Sequence, residues 1–294
     1  MFAKNNILSQ RADNLCRIFL TIKKKTNEIL SKYDDVDYLT DPLINIIAIA
    51  NEYGIKVIPV EPKDINYEHA VLDDSDKNNI LIKVNKEDSA EEQFFSVAHE
   101  MEHYFKKKAD NLRKIDVFKY SDPSTKTALF EKTNLFKSSN DLDELAARTG
   151  DNYKEAVKIV KRTKGAERIA SYIADTVSKN LGKDVSIKKA YVALAKSILK
   201  TNEILKSSNE PFLLKIINQL YDEEIADYFA ANILLPSERF RLWEHKSNRV
   251  IAKAFKVPKA CVAKRRKEIE DEIFFIKSEN FILQGDKKRI NRPV

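Results

Sequence analysis

Two of the four histidines in this 294-residue chain stand four positions apart, in the segment His99-Glu100-Met101-Glu102-His103. On an α-helix, residues four apart project from the same side, so both imidazoles can bind one metal ion. The intervening Glu100 can take a proton from water bound to that ion. This HExxH pattern indicates a Zn²⁺ site, and a chance pairing of two surface histidines is the alternative.

The helix that carries the motif is predicted to begin near Ser89, because Ser89 and Glu92 have the spacing of a capping box, and to run to about Lys107. Placing its residues at about 100° intervals separates two faces. The apolar face holds Phe94, Val97, Ala98, Met101, Tyr104 and Phe105. Both histidines fall roughly opposite, so the helix can pack on a sheet and present them to a cleft.

A catalytic zinc site needs a third protein ligand and leaves its fourth position to water. The metzincin continuation HExxHxxGxxH is excluded, because Lys106 and Ala109 stand where its glycine and third histidine belong. We therefore expect a carboxylate from a second helix, and the segment 221–236 supplies one. Glu223 and Asp227 lie four apart on one side of this helix. The other side carries Ile225, Phe229 and Ile233.

The remaining pattern predicts an α+β fold that is predominantly helical. Only 5 Gly and 8 Pro occur, which is few for a turn-rich β protein. Three β-like runs at 55–60, 70–72 and 80–84 suggest a small antiparallel sheet. Helices are predicted over 5–32, 43–53 (ended by Gly54), 153–163, 166–181, 186–202, 211–235 (ended by Pro236), 237–245, 248–255 and 259–273. The stretch 108–152 is predicted to be loop with short helices.

Composition excludes several protein classes. With 43% hydrophobic residues, the chain can form a sizeable core, so it is neither disordered nor a mini-protein. Cys16 and Cys261 have no CxxC spacing, and we expect neither a disulfide framework nor a cysteine metal site. The apolar stretch 15–22 contains Arg17 and precedes three lysines, so we expect no signal peptide, no membrane span and a cytoplasmic location.

Several motifs in this order resemble the ImmA/IrrE family of metallo-endopeptidases. They are Gly-Ile-x-Val after a short helix, Ile-x-Val-Asn at 82–85, Phe-x-x-Ala-His-Glu-x-x-His-Tyr at 95–104, and Glu-x-x-Ala-Asp-x-Phe-Ala-Ala-x-x-Leu-Leu-Pro at 223–236. The resemblance covers residues 41–107 and 221 to about 270, and it implies a zincin-like core with one Zn²⁺ per chain.

The resemblance also implies roles for individual residues. His99, His103 and Glu223 are expected to be the zinc ligands, and Glu100 the catalytic base. Asp227 matches a position where a carboxylate can accept the free ring N–H of a ligating histidine and set its tautomer.

The chain departs from the family pattern in one spacing, because 119 residues separate His103 from Glu223. Residues 108–210 are therefore predicted to be a helical insertion. The insertion would divide the chain into two further regions. Residues 1–107 would hold the N-terminal helices, the sheet and the HExxH helix. Residues 211–294 would hold the Glu-bearing helix and a basic tail. Glu224 is the adjacent alternative to Glu223 as third ligand, and Glu167, in a similar Glu-x-x-Ala segment, comes behind it.

The C-terminal segment carries the whole basic excess of the chain. Residues 237–294 hold 16 basic and 8 acidic side chains, whereas residues 1–236 hold 36 and 37. The stretch 247–270 resembles a helix-turn-helix, and its lysines and arginines are suited to phosphate contacts. Packing on the peptidase with a solvated basic face is the favoured interpretation, ahead of docking an acidic partner and of binding nucleic acid.

We expect a second donor for the oxyanion besides the metal. Tyr104, His69 and His245 are the candidates, although a packing tyrosine or a surface histidine is the simpler interpretation of each. An edge strand near residues 69–72 would offer an extended substrate a place to add as a further strand.

The predicted function is that of an intracellular zinc endopeptidase. The resemblance implies limited cleavage of a helix-turn-helix repressor that controls a mobile element or a stress regulon. A DNA-binding or toxin–antitoxin-type regulator on a metalloprotease-like scaffold is one alternative. A general housekeeping metalloprotease is the other.

Overall fold

The computed structural model describes residues 21–33, 43–108, 153–163, 166–181, 184–199 and 212–270. Within these ranges the helices are α1 (21–30), α2 (Ile46–Glu52), α3 (Ala90–Lys108), α4 (Tyr153–Arg162), α5 (Ala166–Leu181), α6 (Ile187–Leu199), α7 (Phe212–Leu234), α8 (Ser237–Trp243), α9 (Asn248–Phe255) and α10 (259–270). The strands are β1 (Ile55–Val60), β2 (Ala70–Asp73) and β3 (Ile80–Asn85), and 3₁₀ turns occupy Ser31–Tyr33 and Pro62–Ile65. The α+β class and the predominance of helix are confirmed.

Parts of the sequence prediction fall outside the described residues. These are most of the first helix, the predicted loop at 108–152 apart from its first residue, the end of the helix over 186–202, and the last residues of the helix over 259–273. The division into 1–107, 108–210 and 211–294 stays a prediction.

The sheet differs from the predicted antiparallel arrangement. Its strand order is β1-β3-β2, and β2 pairs antiparallel to β3 with Ala70 opposite Val84. The β1–β3 pair is parallel, with Ile55 opposite Ile80, so the prediction was wrong for this pair. A parallel pair needs a connection of a dozen or more residues. The 3₁₀ turn and β2 together form such a connection, and they leave β2 at the edge of the sheet.

Local signals set the ends of the helices next to the site. Gly54 follows α2 with a φ of 76°, which a residue without Cβ adopts without strain. The hydroxyl of Ser89 accepts the backbone N–H of Glu92 at 3.2 Å and caps α3. Helix α7 ends just before Pro236, because proline lacks the backbone N–H that a continuing helix requires.

Helix α3 packs between the sheet and α7. Its predicted apolar face is confirmed, because Val97, Ala98, Met101 and Tyr104 are all buried. On the α7 side, the ring of Phe105 meets that of Phe229 edge to face, with centroids 5.8 Å apart. This contact fixes α3 beside α7.

The helices α4, α5 and α6 come from the predicted insertion. They pack against one another, and α5 and α6 also contact α7. Their buried side chains, such as Ile173 and Leu194, belong to the same hydrophobic cluster as Met101 and Phe229. The described part of the segment between the two motifs therefore shares a core with the motif helices.

The basic tail is tied to the end of α7 by Arg265 of α10, whose side chain is fully buried. Its guanidinium donates to the carbonyl oxygen of Leu235 at 3.1 Å, and to Asn232 Oδ1 and Ser237 Oγ at 2.9 Å each. These bonds satisfy polar groups where α7 ends. Trp243 also has a packing role, because its ring meets that of Phe255 with centroids 5.8 Å apart.

We expect Arg265→Met to lower the free energy of unfolding by about 3–5 kcal/mol, because it leaves buried acceptors without their charged donor. Urea denaturation followed by circular dichroism measures this loss. Lys267→Met is the matched control, because Lys267 is exposed on the same helix, and it should change stability by less than about 0.5 kcal/mol. Similar small losses in both variants would contradict the anchoring role of Arg265.

Candidate metal centre

The two histidines of the HExxH motif lie side by side on α3. Their Nε2 atoms are 3.1 Å apart, and their ring centroids are separated by 4.9 Å. Ligand atoms of His99, Glu100 and His103 all lie within 4.8 Å of one another. This group could hold a metal ion.

Helix α7 brings Glu223 to the same point. Its Oε2 lies 3.3 Å from Nε2 of His99, and its Oε1 lies 3.8 Å from Nε2 of His103. Tetrahedral zinc with bonds of about 2.0–2.1 Å requires ligand atoms about 3.3 Å apart. The spacing of the three side chains therefore fits a zinc ion, and two imidazoles with one carboxylate are a donor set that zinc accepts.

The second carboxylate, Glu100, is held from the opposite side by the sheet. Its Oε2 accepts the backbone N–H of Leu72, in edge strand β2, at 3.0 Å. Burial raises the pKa of Glu100 to about 7. A carboxyl group with a pKa near neutrality can both accept and return a proton.

Glu223 has the opposite electrostatic environment. Burial by itself would raise its pKa, but the hydrogen bond with His99 and the charge of Lys196 hold that pKa well below its usual value. Glu223 is thus ionised, as a metal-ligating carboxylate must be. The two carboxylates beside the histidines are therefore suited to different tasks, ligation for Glu223 and proton transfer for Glu100.

The two histidines also differ in charge. Burial disfavours the charged form of His99, yet Asp227 and Glu223 outweigh it and raise its pKa to about 10. Burial and the charge of His99 lower the pKa of His103 to about 4. In the protein without metal, one imidazolium therefore stands between two carboxylates. A metal ion that binds here takes the place of its proton.

Asp227 orients His99 and connects it to two further helices. Its Oδ1 accepts from Nδ1 of His99 at 3.0 Å, which leaves Nε2 directed at Glu223. Its Oδ2 accepts from Lys189 of α6, and lies 3.4 Å from Nζ of Lys264 of α10. Burial alone would raise the pKa of Asp227, but these partners hold it well below its usual value.

We expect Asp227→Asn to weaken zinc binding by about 10–100-fold, because a partner carboxylate fixes the tautomer and raises the basicity of a ligating imidazole. Competition with a fluorescent chelator measures the affinity. Asp222→Asn is the matched control on the same helix, since Asp222 pairs with Lys106 and should leave the affinity within about twofold. Equal affinities in all three proteins would contradict the orienting role.

The two alternatives to Glu223 lie elsewhere. Glu224 is buried, bonded to Lys189, and 3.5 Å from Lys264. Glu167 lies exposed in the first turn of α5. Of the three carboxylates considered from sequence, Glu223 is the one whose oxygens face both imidazole Nε2 atoms.

The three candidate oxyanion donors lie in different environments from the zinc-ligand candidates. The hydroxyl of Tyr104 donates to the carbonyl oxygen of Tyr53 at 3.3 Å. His69 lies half-exposed before β2, with Nδ1 at 2.7 Å from Oδ2 of Asp88. His245 lies in an exposed turn after α8.

Three side chains near the site were missed by the sequence analysis. Lys189 and Lys196 stand seven positions apart on one face of α6, and they line a cavity of about 170 Å³ together with Glu223 and Asp227. Glu102 is fully buried within α3, with Oε2 3.7 Å from Nδ1 of His103. The seven-residue spacing of the lysines was the available signal, but spacing alone does not tell which helix faces the site.

Comparisons with protein-family models, with curated proteins and with solved structures found no match for this chain. None of the helices in the described part of the chain is both long enough and apolar enough to span a membrane.

Proposed function

We propose that this protein is a zinc-dependent endopeptidase, with His99, His103 and Glu223 as ligands and Glu100 as general base. The observation that carries the proposal is the placement of two imidazole nitrogens and one carboxylate at 3.1, 3.3 and 3.8 Å from one another. A second carboxylate, with a pKa of about 7, stands next to them. The HExxH motif and the order of motifs that resembles the ImmA/IrrE family support the same function.

The reaction would be hydrolysis of a peptide bond. A bound zinc ion would supply a Lewis acid that polarises the carbonyl and acidifies water. Glu100 accepts the proton of the attacking water as the new C–O bond forms at the carbonyl carbon. It then gives that proton to the amide nitrogen as the C–N bond breaks, and no covalent enzyme intermediate is required. The N–H of Leu72 holds the carboxylate in place for both transfers.

The edge strand β2 offers a way to bind an extended substrate. It lies beside α3 and is bonded on one side to β3. A peptide added along the other side would pair with backbone groups of β2 other than the N–H of Leu72, which Glu100 already uses, and it would therefore run next to Glu100. This position would bring a scissile bond close to the two histidines.

The proposed substrate is a helix-turn-helix repressor, cut at a limited site inside the cell to release its genes. The resemblance of the two separated motifs to the ImmA/IrrE family supports this choice. The candidate to test is a small repressor encoded by a neighbouring gene.

The DNA-binding alternative draws less support from the tail. Lys264 faces Glu224 and Asp227, and Arg265 is buried. Arg266 donates to Asn248 Oδ1 and to two backbone carbonyl oxygens. These three basic side chains of α10 are used within the fold, whereas phosphate binding requires them at the surface.

The experiment is to mix the zinc-loaded protein with the purified repressor, with and without a chelator, and to identify products by mass spectrometry. Zinc-dependent cleavage at one or a few positions supports the proposal. Rapid digestion of unfolded casein with no preference for the repressor would favour a housekeeping protease. Salt-sensitive DNA binding without cleavage of either protein would favour the regulator.

A further inference from the structure

Helix α6, from the segment between the two motifs, places a lysine next to the candidate metal centre. Lys196 is largely buried, with 19% of its side chain exposed, and its Nζ lies 2.8 Å from Oε2 of Glu68, just before β2. It shares the wall of the cavity between α6 and α7 with Glu223. The ion pair thus joins α6 to the residues just before the edge strand β2.

The ammonium group of Lys196 keeps its charge in this position. Its Nζ lies 2.8 Å from a carboxylate oxygen of Glu68, and it shares a cavity with the carboxylates of Glu223 and Asp227. Oxygens of Glu223 face Nε2 of both histidines, so the cavity that Lys196 lines borders the candidate metal centre.

We propose that Lys196 is a catalytic residue, whose ammonium group stabilises the negative charge that develops on the carbonyl oxygen of the substrate. The inference rests on the proposed endopeptidase function and adds a role for the segment between the motifs. A cation fixed in a buried site stabilises such a charge far more than one in water, because it needs no reorganisation during the reaction.

The step balances without a further reactant. As water oxygen bonds to the carbonyl carbon, the C=O electron pair moves to the oxygen and the proton of water goes to Glu100. Lys196 keeps its proton and supplies a positive charge to that oxygen. When the C–N bond breaks, the oxygen re-forms the double bond and the amine leaves with the proton from Glu100.

The ion pair with Glu68 is one of the contacts that hold the ammonium group, and a glutamine oxygen at position 68 could still accept its N–H. One of the three N–H groups of Lys196 is directed at Glu68, which keeps the long side chain extended toward the sheet. Two of the three oxyanion candidates from sequence have contacts elsewhere, Tyr104 with the carbonyl oxygen of Tyr53 and His69 with Asp88.

The test compares Lys196→Met, Lys196→Arg and Glu68→Gln with the wild-type protein, all loaded with zinc, on one fluorogenic peptide that the wild type selects from a randomised pool or that spans the site it cuts in the repressor. We expect Lys196→Met to lower kcat by about 10²–10³-fold with little change in KM. Lys196→Arg, which keeps the charge, should recover part of the loss. Glu68→Gln, which keeps the ammonium group, should lose much less. Lys188→Met, exposed on the same helix, is the control expected to match the wild type.

Zinc affinity provides a readout that does not depend on activity. Removing a cation near a dication should leave zinc binding at least as tight in Lys196→Met as in the wild type. A variant with weakened zinc binding and lowered kcat would indicate a structural role and overturn the inference. Equal losses in Lys196→Met and Glu68→Gln would also overturn it, because the lysine would then act only through the ion pair.

The two proposals fail in different ways. If the wild type cleaves the pool and Lys196→Met keeps its kcat, the role of Lys196 is refuted while the endopeptidase function stands. If the wild type with bound zinc cleaves neither the pool nor the repressor, the endopeptidase function is refuted, and the inference that rests on it is refuted with it.

Discussion

Replacement of Glu100 by glutamine is expected to remove cleavage while zinc stays bound. Glutamine has nearly the shape of glutamate, so it can still accept the N–H of Leu72 through its amide oxygen. It cannot take a proton from water at neutral pH. Loss of a general base costs about 10²–10⁴-fold, and we expect kcat to fall within or beyond this range.

The measurement is a time course of repressor cleavage together with zinc content by atomic emission. Glu91→Gln is the matched control, because Glu91 is a partly exposed glutamate in the first turn of the same helix. It should cleave like the wild type. Retained cleavage by Glu100→Gln would falsify the assignment of Glu100 as the base, whether or not the protein binds zinc.

Replacement of Glu223 by glutamine is expected to lower zinc affinity more than any other substitution proposed for this protein. The carboxylate supplies the negative charge and the oxygens that face both imidazoles, at 3.3 and 3.8 Å. A neutral amide is a poor ligand for zinc beside two neutral imidazoles. The loss should exceed the roughly 10–100-fold expected when a partner of a ligand is changed, and cleavage should disappear with the metal.

Glu224→Gln tests the neighbouring alternative. Glu224 is bonded to Lys189 and not directed at the histidines, so this variant should bind zinc more tightly than Glu223→Gln. Chelator competition and melting temperature, measured on both variants, separate loss of the metal from loss of the fold. Weaker zinc binding in Glu224→Gln than in Glu223→Gln would transfer the ligand role to Glu224.

Much of the local structure around the site follows from short-range signals. Three of these signals act within a few residues and can be recognised in the sequence alone. They are the cap at Ser89, the turn at Gly54 and the helix end at Pro236. The apolar face of α3 was likewise predicted and is confirmed by the burial of Met101 and Tyr104. The parallel pairing of β1 with β3 was not predicted, because the direction of one strand relative to the other depends on the path of the connection between them.

The candidate metal centre likewise has one part that follows from local sequence and another that depends on tertiary packing. The pairing of His99 with His103 is a property of one helix turn and needs no other part of the chain. The approach of Glu223 depends on the packing of α3 against α7, through contacts such as Phe105 with Phe229. The sequence contains other carboxylates in similar patterns, and only packing separates Glu223 from Glu224.

The sequence by itself determined which functional groups are present and how they are arranged locally. These are an HExxH helix, a second helix with Glu223 and Asp227, and a basic excess confined to the tail. The tertiary structure decided which charges meet. It set Lys189 and Lys264 on Asp227, Lys196 beside Glu223, and the buried Arg265 under the tail. The physical reason is range, because helix periodicity acts over four residues, whereas burial and charge pairing join residues that are tens of positions apart.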